Sequence, residues 1–211
     1  LDFGNVLAYP VSGHWFMTNR FMELIDVDKI GYEKINNTMG KFNDIISWKA
    51  VTLEDEENLF YNFYKSLFIE LNYQVDDDIL KEIARDITYN YKKCRLYDGV
   101  VDELEKLSKK YKLLLLSDNW PCGIEIMKDK GIDKYFDKMY ISSVYGCTKS
   151  EGVFFDYPIE EYDIKSGEAL FIDDNEKLLD VAVSKGFDVK LMDRDGIMKS
   201  KYEVINNLLE V

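Results

Sequence analysis

Apolar residues recur at two different spacings along this chain, and the change between them falls near residue 94. From about His14 to Lys93 they return every third or fourth position. Leu59, Phe60, Phe63, Tyr64, Leu67, Phe68 and Leu71 form one such stripe, entered through Thr52 with Asp55 three residues on, the pattern of a helix start closed by a capping box. Between Asp76 and Lys92 the stripe is Ile79, Leu80, Ile83, Ile87 and Tyr91. The whole block predicts a helical unit. After Arg95 short apolar runs alternate with helical segments. Helices are predicted near 100–110, over 121–130, around Tyr157, up to Lys185 and from Lys201 onward, with strands over 112–117, 139–143, 169–173 and 188–192. Such alternation implies right-handed crossovers and a parallel sheet, which makes this an α/β chain.

Polar residues that end the apolar runs carry the candidate chemistry. The chain opens Leu1-Asp2-Phe3-Gly4-Asn5-Val6-Leu7, a carboxylate beside a glycine turn; later runs end in Ser117-Asp118-Asn119, in a segment leading to Lys149, and in Asp173-Asp174-Asn175. In an open parallel sheet, ligands bind where the carboxyl ends of the strands meet, so these groups can converge on one pocket. A nucleophile, a hydroxyl, an ammonium and a metal-binding carboxylate together describe phosphoryl chemistry. Because the first of these strands belongs to the later sheet, the helical block is read as an insertion: a sheet core at 1–13 and 94–211 and a helical cap at 14–93, set over the strand ends as a lid. Only Leu1 precedes Asp2, and the natural chain is expected to continue upstream.

Composition narrows the classes. With 211 residues and 46% hydrophobic content the chain can bury one sizeable core and a smaller second unit. Lys and Arg total 27 against 40 Asp and Glu, a net charge of −13, which argues against nucleic acid as a partner. Cys94, Cys122 and Cys147 are odd in number and form no CxxC pair, so reduced thiols and a cytoplasmic location are expected. No apolar run reaches the length of a membrane span, and no membrane partner is expected.

Asp2, Ser117, Lys149 and Asp173-Asp174, in that order and each after its expected strand, resemble the four motifs of the haloacid dehalogenase-like (HAD) hydrolases with a helical cap inserted after the first motif. The resemblance covers nearly all of the chain and implies a Rossmann-like core. It implies that Asp2 is a nucleophile forming an aspartyl-phosphate and that Mg2+ is the cofactor. The implied metal ligands are Asp2, the carbonyl of Gly4 and Asp174, with Asp173 as the alternative. Lys149 would hold phosphoryl oxygens and Asp2, and Ser117 would donate to a phosphoryl oxygen. Asp118, Asn119 and Trp15 join Ser117 and Lys149 as substrate-binding candidates.

One departure matters. Phosphatases of this superfamily usually carry a second aspartate where this chain has Gly4, and that group protonates the leaving group, work worth about 10²- to 10⁴-fold in rate. His14, the only histidine, lies at the entry to the cap and is the first substitute, a catalytic candidate as well as a helix-entry residue; Asp118 is the second. Among the aromatic residues Phe60, Phe63 and Tyr64 are expected in the cap core and Trp15 and Phe16 at the site, with Trp48 also available. Arg20 could meet a substrate anion, though a surface ion pair is the commoner fate. The implied activity is Mg2+-dependent hydrolysis of a small phosphorylated metabolite, a sugar phosphate among the candidates. The alternatives are hydrolytic dehalogenation of a 2-haloacid type, which the acidic pair argues against, and a catalytically weak protein that binds a phosphorylated ligand.

Overall fold

In a computed structural model that describes residues 1–42 and 49–211, the chain leaves its sheet layer through β1 (Ala8–Pro10) and returns through β2 (Cys94–Leu96). The two pair antiparallel, Ala8 opposite Leu96 and Pro10 opposite Cys94. Between them the described elements are helices: α1 (Asn19–Leu24), α2 (Val27–Ile30), α3 (Tyr32–Met39), α4 (Leu53–Glu70) and α5 (Asp77–Tyr89), then a 3₁₀ turn at Tyr91–Lys93. Trp48 lies outside the described residues. The capping box at Thr52 forms as its sequence predicts, with Thr52 Oγ1 accepting from the Asp55 N–H at 3.1 Å and Asp55 Oδ2 accepting from the Thr52 N–H at 2.9 Å.

The rest of the chain alternates: α6 (Val100–Ser108), β3 (Leu114–Ser117), α7 (Cys122–Asp129), β4 (Lys138–Ile141), α8 (Ser142–Tyr145), α9 (Val153–Tyr162), β5 (Leu170–Asp173), α10 (Glu176–Ser184), β6 (Asp188–Met192) and β7 (Val204–Ile205). β3 pairs with β4, β5 with β6 and β6 with β7, all in parallel. Leu1 and Asp2 join the two groups of strands. The Leu1 amino group donates to the Leu114 carbonyl at 3.0 Å, the Leu116 N–H to the Leu1 carbonyl at 2.9 Å, and the Asp2 N–H to the Ile172 carbonyl at 3.0 Å. Asp2, Ser117 and Asp173 therefore finish neighbouring rows at one edge of a single layer.

Side chains alternate across that layer, and the alternation sorts the apolar runs into two cores. Leu115, Ile141, Ile172 and Met192 face a cluster with Phe3, Leu7, Val100, Leu104 and Ile126. Their neighbours Leu116, Tyr140, Phe171 and Leu191 face the opposite cluster with Phe154, Phe155 and Leu179. The helices before β2 bury a third core of their own, in which Phe21, Phe60, Phe63, Tyr64 and Leu67 are enclosed. Trp120, just after β3, enters that third core: its ring lies 5.0 Å from Phe60 and 5.9 Å from Phe16.

Two predicted elements differ. The strand expected to reach 143 stops at Ile141, because Ser142–Tyr145 coils into α8 and ends at Gly146, whose φ of 72° suits glycine. The helix expected from Lys201 is instead β7, whose Val204 and Ile205 pair with Leu191 and Met192, followed by a 3₁₀ turn at Leu208–Glu210. Pairing the β-branched Val204 and Ile205 with the sheet edge, with Ile205 buried, overrides the helical periodicity. Among the described residues no helix is long and apolar enough to cross a membrane.

If Trp120 ties the helical unit to the sheet layer, Trp120→Ala should cost about 3–5 kcal/mol in urea unfolding, the range for emptying a buried aromatic site. A loss below about 1 kcal/mol would show that the ring contributes little to that core.

Candidate active site

Lys149 arrives at the strand ends from a short turn. Thr148 and Glu151 form a capping box around the 3₁₀ segment Lys149–Glu151, and the Lys149 N–H donates to Asp118 Oδ1 at 2.9 Å. This directs the side chain inward, where Lys149 is 2% exposed. Its Nζ donates to Asp173 Oδ2 at 2.6 Å and lies 2.9 Å from Asp2 Oδ1. The second contact is close enough for an ion pair but is off the hydrogen-bonding direction, so Asp2 Oδ1 is buried without a hydrogen-bond partner among the described residues.

The acidic pair divides its work. Asp173 spends both oxygens, Oδ2 on Lys149 and Oδ1 on the Asn175 N–H at 2.9 Å. Asp174 accepts from Asn5 Nδ2 through Oδ2 at 2.9 Å, and its Oδ1 has no hydrogen bond among the described residues. One oxygen from each of Asp2, Asp173 and Asp174 lies within 4.8 Å of the others. Three carboxylates against one ammonium leave an excess of negative charge, and an all-oxygen set whose buried Asp2 Oδ1 has the Lys149 charge beside it but no hydrogen bond among the described residues suits a hard divalent cation. Among the described residues no hydrogen bond ends on the Gly4 carbonyl, so that oxygen too is available.

The remaining predicted residues divide between the site and its walls. Ser117 ends β3, is buried, and its hydroxyl makes no hydrogen bond among the described residues. Gly4 has no left-handed φ, yet a Cβ there would stand 3.4 Å from Trp15 Cζ2 and 3.9 Å from Asp2 Oδ2. Trp15 thus covers the position where an acidic side chain would project. Asn119 turns away into the start of α7: its Oδ1 accepts from the Trp120 N–H at 2.8 Å, and its amide lies against Gly123, where a Cβ would come within 2.8 Å of Nδ2. The structure does not bring His14 into contact with Asp2. His14 Nδ1 accepts from the Phe16 and Met17 N–H groups, both at 3.0 Å, and Nε2 faces Asn36 Oδ1 at 3.1 Å, so the ring braces the turn before α1. Phe16 packs on Phe60, Phe63 and Trp120 in the helical core. Arg20 pairs with Glu23 and Glu82 at the surface. Sequence reasoning missed Asn5, although an asparagine directly after a glycine turn is a signal, since Asn is the non-glycine residue most at ease in the left-handed region.

Burial sets the electrostatics. It opposes the Lys149 charge, but the carboxylates of Asp2, Asp173 and Asp118 outweigh it and hold the ammonium well above its ordinary value. Burial pushes the carboxyl of Asp174 up to about 6 against the Asn5 hydrogen bond, and that of Asp118 up to about 6 against the pull of Lys149. Asp173 is also raised, by burial ahead of any other cause.

A family model described as a haloacid dehalogenase-like hydrolase matches residues 15–183. A D-ribitol-5-phosphate phosphatase of Bacteroides thetaiotaomicron is 28% identical over 114 residues, 51% of this chain and 55% of that protein, so the chain spans about half the length of this curated relative. Among solved structures, the HAD-hydrolase YfnB from Bacillus subtilis bound to magnesium has a TM-score of 0.70 at 18% identity, covering 99% of this chain and 93% of that one. The L-2-haloacid dehalogenase from Xanthobacter autotrophicus has a TM-score of 0.69 at 14% identity, covering 98% and 93%. At these identities the two structures share the fold.

The raised Asp118 carboxyl has a thermodynamic consequence. Unfolded, it ionises near its ordinary 3.8; folded, it keeps its proton to about 6. Its stabilising contribution is therefore complete below the unfolded value and is lost as pH rises through about 6. Asp118→Asn keeps an acceptor for the Lys149 N–H but cannot ionise. In thermal unfolding of metal-free protein, the variant should gain on the parent progressively as pH rises from about 4 to about 7. A difference that stays constant with pH would contradict the assignment.

Proposed function

The chain belongs to the haloacid dehalogenase-like hydrolases, and from that premise we propose that it hydrolyses phosphate monoesters of a small metabolite, with a phosphorylated sugar or polyol as the substrate class. The observation that carries this reading is the cluster itself: Asp2, Asp173 and Asp174 within 4.8 Å of one another around the Lys149 ammonium. The partial likeness to a D-ribitol-5-phosphate phosphatase supports the polyol class. A hydrolytic dehalogenase needs no such oxygen cage, because its leaving halide carries no phosphoryl charge to neutralise.

In the proposed reaction an Asp2 oxygen attacks phosphorus as the bond from phosphorus to the ester oxygen breaks, giving an aspartyl-phosphate and an alkoxide that takes its proton from water to leave as the alcohol. Water then attacks phosphorus, and inorganic phosphate leaves as the Asp2 carboxylate is restored. Lys149, 2.9 Å from Asp2, presents its charge to the phosphoryl oxygens, and Ser117 donates its hydroxyl to one of them. A divalent cation such as Mg2+, held by Asp2, the Gly4 carbonyl and Asp174, would neutralise the phosphate and orient it toward Asp2. The helices of 14–93 act as the cap that excludes water, with Trp15 as its wall over Gly4. No proton reaches the leaving oxygen from position 4, so turnover is expected to depend steeply on the leaving group.

A panel of aryl, sugar and polyol phosphates assayed with and without Mg2+ tests the reading. Hydrolysis should require the metal, and Asp2→Asn should abolish it, since an amide is no nucleophile. Asp2→Asn activity within about tenfold of the parent, only about 1.4 kcal/mol of barrier, would remove the nucleophile assignment. Metal titration of activity tests the division within the acidic pair. Asp174→Asn should raise the Mg2+ requirement more than Asp173→Asn, whose oxygens are spent on Lys149 and Asn175; the reverse order would exchange their roles.

A further inference from the structure

Asn5 stands between the turn after Asp2 and the carboxylate of Asp174, with its backbone at φ 55°, in the left-handed region. Glycine adopts this conformation freely, and an asparagine there needs a reason. Its amide supplies one, donating from Nδ2 to Asp174 Oδ2 at 2.9 Å. The turn that aims the amide is itself fixed. The Asn5 N–H donates to the Ala8 carbonyl at 2.7 Å, and the N–H groups of Leu7 and Ala8 both donate to the Phe3 carbonyl at 2.9 and 3.1 Å. Arg194 clamps the next carbonyl, that of Val6, through Nε at 3.0 Å and Nη2 at 2.8 Å. Arg194 is in turn buried against Glu103 at 3.0 Å.

We propose that Asn5 is a positioning residue for the metal-binding carboxylate: by holding Asp174 Oδ2 it leaves Oδ1 as the oxygen free for a divalent cation and sets the affinity of the site. The inference rests on the reading of Asp2, Asp173 and Asp174 as a metal centre. Its physical basis is repulsion. Asp2 and Asp174 are both carboxylates, and without a tether Asp174 would rotate away from Asp2 in the metal-free protein, so that binding the cation would have to restore the arrangement. The amide donor offsets part of the Asp174 charge and keeps the rotamer in place beforehand. Loss of such an outer partner typically weakens metal binding by about 10–100-fold.

Calorimetric titration of Mg2+ into the parent, Asn5→Gly and Asp174→Asn tests this without reference to activity. Glycine accepts the left-handed backbone but donates nothing to Asp174. A residue present only to shape the turn would therefore be replaced by glycine with no change in Mg2+ affinity. The dissociation constant of Asn5→Gly is expected to rise by about 10–100-fold while its thermal unfolding stays close to that of the parent, with Asp174→Asn losing more. If Asn5→Gly binds Mg2+ as tightly as the parent and Asp174→Asn does not, the role of Asn5 is overturned and the metal centre stands. If Asp174→Asn binds like the parent, or the parent binds no Mg2+, the metal centre falls and the inference falls with it.

Discussion

The Lys149 ammonium is the charge on which the site depends. It is carried to a place with almost no solvent, an arrangement that is strongly unfavourable for an isolated charge and tolerable here because Asp2 and Asp173 lie 2.9 and 2.6 Å away. Removing one partner of such a buried pair typically costs about 3–5 kcal/mol, because the other charge is left uncompensated. The same balance explains why the cluster suits a cation. Lys149 and the Asn175 N–H satisfy Asp173 and Lys149 half-satisfies Asp2, while among the described residues Asp174 has only the Asn5 amide.

The fold brings these groups together by finishing several rows at one edge. Asp2 lies between β3 and β5 through backbone bonds to Leu114, Leu116 and Ile172, which puts it beside Ser117 and Asp173. Lys149 comes from a turn fixed by Thr148, Glu151 and Asp118. The helical unit attaches through the short β1–β2 pair and through Trp120, which leaves the loop after β3 to pack on Phe16 and Phe60. The residue that follows the Ser117-Asp118-Asn119 loop is thus part of the core of the helices.

Where the signal was periodic or motif-based, it was legible from the sequence. The apolar stripe from Leu59 to Phe68 and its Thr52–Asp55 box became an 18-residue helix capped at Leu71, and the polar ends of the apolar runs located Asp2, Ser117, Lys149 and the acidic pair. What the sequence hid depends on contacts between distant positions. β1 and β2 are three residues each, too short for a period to register, and β7 owes its form to Leu191 and Met192 beside it. The Asn5 bond to Asp174 joins residues 169 apart, and the approach of Trp15 to Gly4 depends on how the helical unit folds back over the turn. His14 and Asn119 were chemically reasonable site candidates. His14 Nδ1 and Asn119 Oδ1 are engaged by neighbouring backbone N–H groups, a local use of side chains that composition and position do not separate from a catalytic one.

Gly4 and Trp15 belong together. An indole edge 3.4 Å from where a Cβ would stand gives Asp2 a hydrophobic neighbour in place of an acid at position 4, while Lys149, Asp173 and Asp174 gather around it as the proposed phosphoryl-transfer half of the site. The central claim is that Asp2, held by Lys149, takes the phosphoryl group covalently. Quenching the protein with borohydride during turnover on a phosphate ester with Mg2+, followed by peptide mass spectrometry, tests it directly, because borohydride reduces an aspartyl-phosphate to homoserine. The account predicts homoserine at position 2 in the parent and none without substrate. An unmodified Asp2 in protein that is actively hydrolysing the ester, or homoserine at another aspartate, would contradict it.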